Sequence, residues 1–270
     1  MNLKKWIRNK GRGLHLAWLG RYGAQCRPIK WVFIVGCYNS GTTLLHDILA
    51  QHEKIAHLPR EGQYCTDQFV IPSAVGLTRA WALKPELFIP KTAVLAPDAK
   101  IVQRQWCSLA QPASRPLILE KSIPNAARIQ WLNEHFQQAC FIALVRNGYA
   151  VAEGIRRKAG QPLEVAACQW QRSNQIMLEQ LEQVPRQILL TYEELTQHPA
   201  ATLQRVLKFL DLPPMPELAR REFTVHGMTS PVRNMNERSL KQLSEQDYRI
   251  IEQQAWVMLE HFGYLRRQDD

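Results

Sequence analysis

The sequence predicts an α/β fold, a three-layer sandwich in which a central parallel sheet is covered by helices on both faces. Two observations predict it. Four short β-rich apolar runs, at 31–35, 117–119, 140–145 and 187–191, recur between segments whose apolar residues keep helical spacing. The runs are continuous rather than alternating, as expected of strands buried on both faces. Strands that alternate with helices build βαβ units, and these close into a parallel sheet.

Each element follows in order. Residues 1–30 hold eight Lys and Arg and no acid, so they read as a basic N-terminal arm before a single domain at 31–270. The run Trp31-Val-Phe-Ile-Val35 is the first strand, broken by the stretch from Gly36 to Gly41. Residues 42–51 then place Leu44, Leu45, Ile48 and Leu49 on one helical face. From about 72 to 116, prolines 72, 85, 90, 97, 112 and 116 stand among Trp81, Phe88 and Trp106, which predicts a largely helical, irregular insertion. Such an insertion at the carboxyl edge of a sheet is a natural place for substrate selection. After the strand at 117–119 come a helix at 125–136, the strand at 140–145 and a helix near 149–158. Pro162 opens a helix that runs to about 181, and the strand at 187–191 follows. A helix at 199–210 carries Leu203, Val206, Leu207 and Leu210 on one face. Ser244 and Asp247 form a capping box for a last helix that Gly263 ends.

Composition narrows the function classes. With 46% hydrophobic and 21% charged residues, the chain is neither disordered nor fibrous. Formal charge is 34 minus 24, or +10, and the first 30 residues supply 8 of it; the remaining 240 are nearly neutral at 26 against 24. A nucleic-acid binder with an evenly basic surface is therefore not expected. No run reaches the roughly 18–20 apolar residues that span a bilayer. The arm carries Trp6, Ile7, Leu14, Leu16, Trp18 and Leu19 among its cations. It could lie on an anionic membrane surface, or be a solvated arm that packs a few apolar residues on the domain. The six cysteines form no C-x-x-C pair, so reduced, mostly buried thiols and a cytoplasmic location are expected. The eight histidines show no ligand spacing, and no metal is expected.

The chemistry concentrates in Gly36-Cys-Tyr-Asn-Ser-Gly41-Thr-Thr43, between the first strand and an amphipathic helix. Glycines let the backbone curl around a ligand, and the helix N-terminus aims free N–H groups and a positive dipole end at the same spot. Thr42 and Thr43 add hydroxyls. This is a phosphate cradle, a P-loop-like nucleotide-binding core. Thr42 stands where G-x-x-x-x-G-K-[ST] has its lysine, which argues against an ATPase or kinase.

Four motifs in order resemble the sulfotransferases that use 3′-phosphoadenosine 5′-phosphosulfate (PAPS). They are Ser40-Gly-Thr-Thr43 after a buried strand, Glu120-Lys-Ser-Ile-Pro-Asn125, Leu144-Val-Arg146 at a strand end, and Tyr192-Glu-Glu-Leu195. The ending Phe209-Leu-Asp-Leu-Pro213 also matches, and Arg60-Glu61-Gly62-Gln63 and Arg146-Asn147-Gly148-Tyr149 suggest a bacterial-type branch. The resemblance implies sulfuryl transfer from PAPS, without a metal, to a hydroxyl or amine acceptor such as a carbohydrate, lipid or small molecule. The alternatives are a kinase-like phosphotransferase and a noncatalytic nucleotide-binding relative.

The resemblance also assigns roles. Gly36, Asn39, Ser40, Gly41, Thr42 and Thr43 would hold the 5′-phosphosulfate, and Arg146 the 3′-phosphate, for which a guanidinium fork is suited. Tyr192 would lie near the adenine, and Arg233, in a loop between helices, would contact the nucleotide. Glu61 would be the general base, with His57 as second choice. Two departures stand out. A serine usual eight residues after the arginine is Gly154 here, where Arg156, Arg157, Lys158 or a backbone N–H could compensate. The basic residue usual before Ser-Gly-Thr-Thr is Asn39, so another cation must face the sulfuryl group; Lys121 is the first candidate and Arg60 the second.

Overall fold

The computed structural model describes residues 3–90, 96–216, 223–225, 228–230 and 233–266. In chain order the elements are α1 (Leu3–Tyr22), β1 (Lys30–Gly36), α2 (Thr42–Leu49), β2 (Ile55–His57), α3 (Ala99–Leu109), β3 (Leu117–Lys121), α4 (Ile129–His135), β4 (Cys140–Val145), α5 (Gly148–Ala159), α6 (Leu163–Leu181), β5 (Gln187–Thr191), α7 (Tyr192–Gln197), α8 (Pro199–Phe209), β6 (Phe223–Val225), β7 (Met228–Ser230), α9 (Asn236–Leu240) and α10 (Glu245–His261). Strands β1–β5 form one parallel sheet in the order β2-β3-β1-β4-β5. Helices cover both faces, so the predicted three-layer sandwich is the observed fold.

The alternation of side chains along β1 explains the continuous apolar run. Phe33 and Val35 enter the larger core layer with α4, α5, α6, α10 and the insertion, while Val32 and Ile34 enter the smaller one with α2, α7 and α8. Neither face meets water. In the larger layer Trp31, Phe33, Trp106 and Phe136 form a ring cluster, with Trp31 and Phe136 edge to face at 4.8 Å.

Several details depart from the sequence reading. Strand β2 was not predicted; three residues are too few to show a period. The helix expected over 125–136 is a 3-10 turn at Ile123–Ala127 followed by α4. The break falls at Arg128, whose side chain turns inward to donate to Asn125 Oδ1 at 3.1 Å and lie 4.1 Å from the Phe69 ring centre. The region before Arg233 is not wholly loop, because β6 and β7 form an antiparallel pair there. The expectation of reduced thiols is corrected for one pair: Cys26 and Cys107 form a disulfide. Docking of α1 on α3 brings the two together across 81 residues, which no local spacing signals. Leu16 and Leu19 are buried in that contact, and Gln105 of α3 donates to Leu16 O at 2.7 Å.

A buried polar network at the end of β3 anchors the site. Glu120 is fully buried and accepts from Gly62 N at 2.8 Å, from Ser122 Oγ and from Asn125 Nδ2. Burial pushes its carboxyl up to about 7, against the pull of the Ser122 hydroxyl and the Gly62 N–H. Burial likewise lowers Arg128, to about 10, so it stays charged at neutral pH. A carboxyl raised from 4.5 to about 7 on folding keeps a proton that the unfolded chain has already released. Its contribution to stability therefore falls as pH rises from about 4.5 through 7, by on the order of 3 kcal/mol. Glu120→Gln, which cannot ionise, is expected to flatten this part of the profile. Urea unfolding of both proteins between pH 5 and 8 checks it; parallel profiles would contradict the assignment.

Candidate active site

The cradle forms where β1 ends between β3 and β4. A Cβ on Gly36 would lie 2.5 Å from Leu144 O, so only glycine lets the chain leave β1 that close to β4. Gly41 has φ 90° and lies against Tyr192, where a Cβ would sit 2.6 Å from the ring. Gly41 caps α2, and no side chain caps the N–H groups of its first turn. Two polar atoms of the loop, Ser40 Oγ and Asn39 Nδ2, are buried without a protein partner. The loop thus offers donors and no carboxylate, the chemistry of an anion site.

Beside the loop, Lys121 Nζ donates to Glu61 Oε1 at 2.7 Å and to Thr43 Oγ1 at 3.2 Å. Gln63 Nε2 donates to the other oxygen of Glu61 at 2.6 Å. Glu61 is held by a short segment with little regular structure of its own. Gly62 N and Gln63 N donate to Glu120 and Ser122, and Gly62 O accepts from Trp106 Nε1 at 3.0 Å. Arg60 is exposed and stacks on the Tyr64 ring at 4.5 Å. His57 Nδ1 faces Leu58 O at 3.1 Å, and its ring meets His46 edge to face. The structure therefore joins Glu61, Lys121 and Thr43, while Arg60 and His57 have other partners.

Arg146 leaves the end of β4 and is buried. Its Nη1 donates to Asn39 O at 2.8 Å, its Nε to Asn236 Oδ1 at 2.7 Å, and its guanidinium lies 4.2 Å from the Tyr192 ring centre. Burial lowers its pKa below the ordinary arginine value. Tyr192 OH donates to Arg233 O at 2.8 Å and accepts from Met235 N. Thus Arg233 meets the site through its backbone. Arg156 and Arg157 pair with Asp247 and Glu153, each at 2.8 Å.

Sequence reasoning missed Asn236, Glu193 and Tyr264, which support Arg146. Asn236 Nδ2 and Tyr264 OH both donate to Glu193. It also missed Arg79, in the insertion, whose Nη1 donates to Asn39 Oδ1 at 2.9 Å. Gly154 matters for a reason the motif did not show: a Cβ there would lie 2.9 Å from Asn39 Nδ2.

Comparisons with known proteins bear on family and fold. A profile described as "Sulfotransferase family" matches residues 32–217. The chain is 26% identical over 203 residues to a protein-tyrosine sulfotransferase of Drosophila melanogaster, covering 69% of this chain and 39% of that protein. It is 26% identical over 202 residues to protein-tyrosine sulfotransferase A of Caenorhabditis elegans, covering 69% of this chain and 51% of that one. The matched stretch spans about half or less of these relatives. A sulfotransferase domain from the curacin biosynthetic pathway shares the fold, with TM-score 0.55 and 20% identity over 90% of this chain and 100% of that one. A mouse sulfotransferase complexed with PAP does so with TM-score 0.51 and 11% identity, covering 91% of this chain and 89% of that one. With the profile matched over more than half of its length, this chain belongs to the sulfotransferase family.

Proposed function

We propose that this chain transfers a sulfuryl group from PAPS to a hydroxyl acceptor. The observation that carries the reading is the Lys121 amine, which donates at once to a carboxylate outside the cradle, Glu61, and to a hydroxyl within it, Thr43. Proton acceptor and anion site are thereby one hydrogen-bonded unit. The donor fits the residues present. Ser40 Oγ and Asn39 Nδ2 lack protein partners, and the Gly36 and Gly41 positions leave no room for a side chain. The loop 36–43 and the N-terminus of α2 would hold the 5′-phosphosulfate, Arg146 the 3′-phosphate, and the donor would supply the activated sulfuryl group. Glu61, oriented by Lys121 and Gln63, takes the proton of the acceptor hydroxyl. Lys121 returns positive charge to the same side of the loop. The names of the two curated relatives favour a tyrosyl phenol as acceptor, ahead of the sugars, lipids and small alcohols that the sequence left open.

A labelled-donor assay against tyrosyl peptides, sugars, lipids and phenols tests the reading directly. A thermal-shift comparison separates it from a kinase. Adenosine 3′,5′-bisphosphate should stabilise the chain, by about 2.7 kcal/mol at a hundredfold excess over Kd, and ATP with magnesium should not. Arg146→Ala is expected to weaken the 3′,5′-bisphosphate about ten- to a hundredfold while changing adenosine 5′-phosphate little, as loss of one bond to a charged group predicts. Calorimetry with both ligands checks it; equal losses would remove the 3′-phosphate from Arg146. Glu61→Gln should keep the bisphosphate affinity and lose about 10²–10⁴-fold in turnover. Unchanged turnover would pass the proton to water.

A membrane partner is proposed for α1. Leu14, Trp18 and Tyr22 recur every fourth residue and are 74%, 56% and 62% exposed, while Leu16 and Leu19 pack inward. Cations crowd the same helix, so the face fits an anionic lipid surface. Co-sedimentation with phosphatidylserine vesicles but not with neutral ones, reversed by salt, is the expected result; indifference to lipid charge would count against it.

A further inference from the structure

The loop 36–43 has no lysine or arginine, so the charge facing a bound anion must come from elsewhere in the fold. Of the cations around the cradle, Lys121 is paired with Glu61, Arg156 with Asp247 and Arg157 with Glu153. Arg60 stacks on Tyr64, and Arg146 bonds Asn39 O and Asn236. Like Arg146, Arg79 bonds an oxygen of Asn39 and has no ion pair with a carboxylate among the described residues; unlike Arg146, it bonds the side-chain amide of Asn39 and reaches the loop from the insertion.

Three features hold Arg79 in that place. The segment around it is pinned on both sides: Gln161 Nε2 donates to Thr78 O at 2.8 Å, and Ala82 N donates to Gln169 Oε1 at 2.8 Å. Its guanidinium lies 5.5 Å from the Tyr38 ring centre, against the loop. Its own φ is 55° and that of Asn39 is 61°, so two non-glycine residues in the left-handed region meet side chain to side chain. Such conformations persist where the surroundings determine them, and they gather at functional sites. Burial, then the charges of Arg79, Arg157 and Arg146, lower the Lys158 amine below its ordinary value.

Gly154 completes the arrangement. With no Cβ, it leaves the Asn39 amide room to turn its oxygen to Arg79 and its buried, unpartnered nitrogen toward α5. An Asn39 oxygen left free would repel an anion in the loop; Arg79 caps it and adds a unit of positive charge.

We propose that Asn39, Gly154 and Arg79 act as one unit, in which the insertion supplies through Arg79 the positive charge for the sulfuryl end of the cradle. Arg79 is then a positioning and charge-supplying residue for the sulfuryl group, beside Lys121, whose charge is shared between Thr43 of the loop and Glu61. The inference rests on the proposed use of PAPS. Its test is calorimetry of PAPS and of adenosine 3′,5′-bisphosphate, which lacks the sulfuryl group, with no acceptor present. Arg79→Ala should weaken PAPS about ten- to a hundredfold, the range of one hydrogen bond to a charged group, and leave the bisphosphate nearly unchanged. Arg79→Lys should recover part of the loss. Gly154→Ala should reproduce it by displacing the Asn39 amide, and the double variant should be no worse than Arg79→Ala alone. Arg79 is only partly buried, so its variants keep the proposal testable even if Gly154→Ala fails to fold. Equal loss of both ligands, or additive losses in the double variant, would reduce Arg79 to a structural prop and overturn the proposal. If the unaltered chain bound neither ligand, the PAPS reading itself would fall and this inference with it.

Discussion

Strand β1 pairs with β3 on one side and β4 on the other, and the site depends on that shared pairing. In register, Ile34 stands beside Lys121 and Gly36 beside Leu144. The cradle, the lysine and, two residues beyond Leu144, Arg146 therefore leave the sheet at one edge, where the strand order places a crevice. Side chains alternate along a strand, so a one-residue slip of β3 would turn Lys121 to the opposite face. The full burial of β1 on both faces disfavours such a slip, because it would carry the apolar side chains of β3 away from their packing partners.

Charge in this molecule is arranged by burial as much as by sequence. Removing an ion from water costs several kcal/mol unless geometry compensates. Arg128 meets that cost with the Asn125 oxygen and the face of Phe69. Arg146 meets it with Asn236, Asn39 O and the face of Tyr192. The Glu61–Lys121 pair is part-buried and shared with Thr43, which binds its geometry to the loop rather than to solvent.

The insertion is structural support, packed on one face of the sheet through Trp81, Phe88 and Trp106. Through Trp106, α3 holds Gly62, and through Gly62 it sets the backbone beside Glu61. The Cys26–Cys107 disulfide and the Leu16–Leu19 contact attach α1 to the same helix. The basic arm, the insertion and the segment bearing Glu61 are consequently one packed unit, not separate appendages.

Much of this architecture is legible in the sequence. The four long strands and the loop 36–43 declared themselves because strand burial and a tight strand-to-helix turn both leave local marks: continuous β-branched and aromatic runs, and glycines with hydroxyls before a helix. Glu61, Lys121 and Arg146 were readable because each follows a strand or lies in a short ordered motif. Other features depended on distance. Arg79 meets Asn39 from 40 residues away, Asn236 meets Arg146 from 90, and Cys26 meets Cys107 from 81. None has a periodic or motif signal, since chain closure over such separations is decided by packing of the whole core. The two departures, Asn39 and Gly154, looked like independent losses in sequence. Only the folded chain, which sets the Gly154 backbone against the Asn39 amide and brings an insertion arginine to its oxygen, makes them a single arrangement.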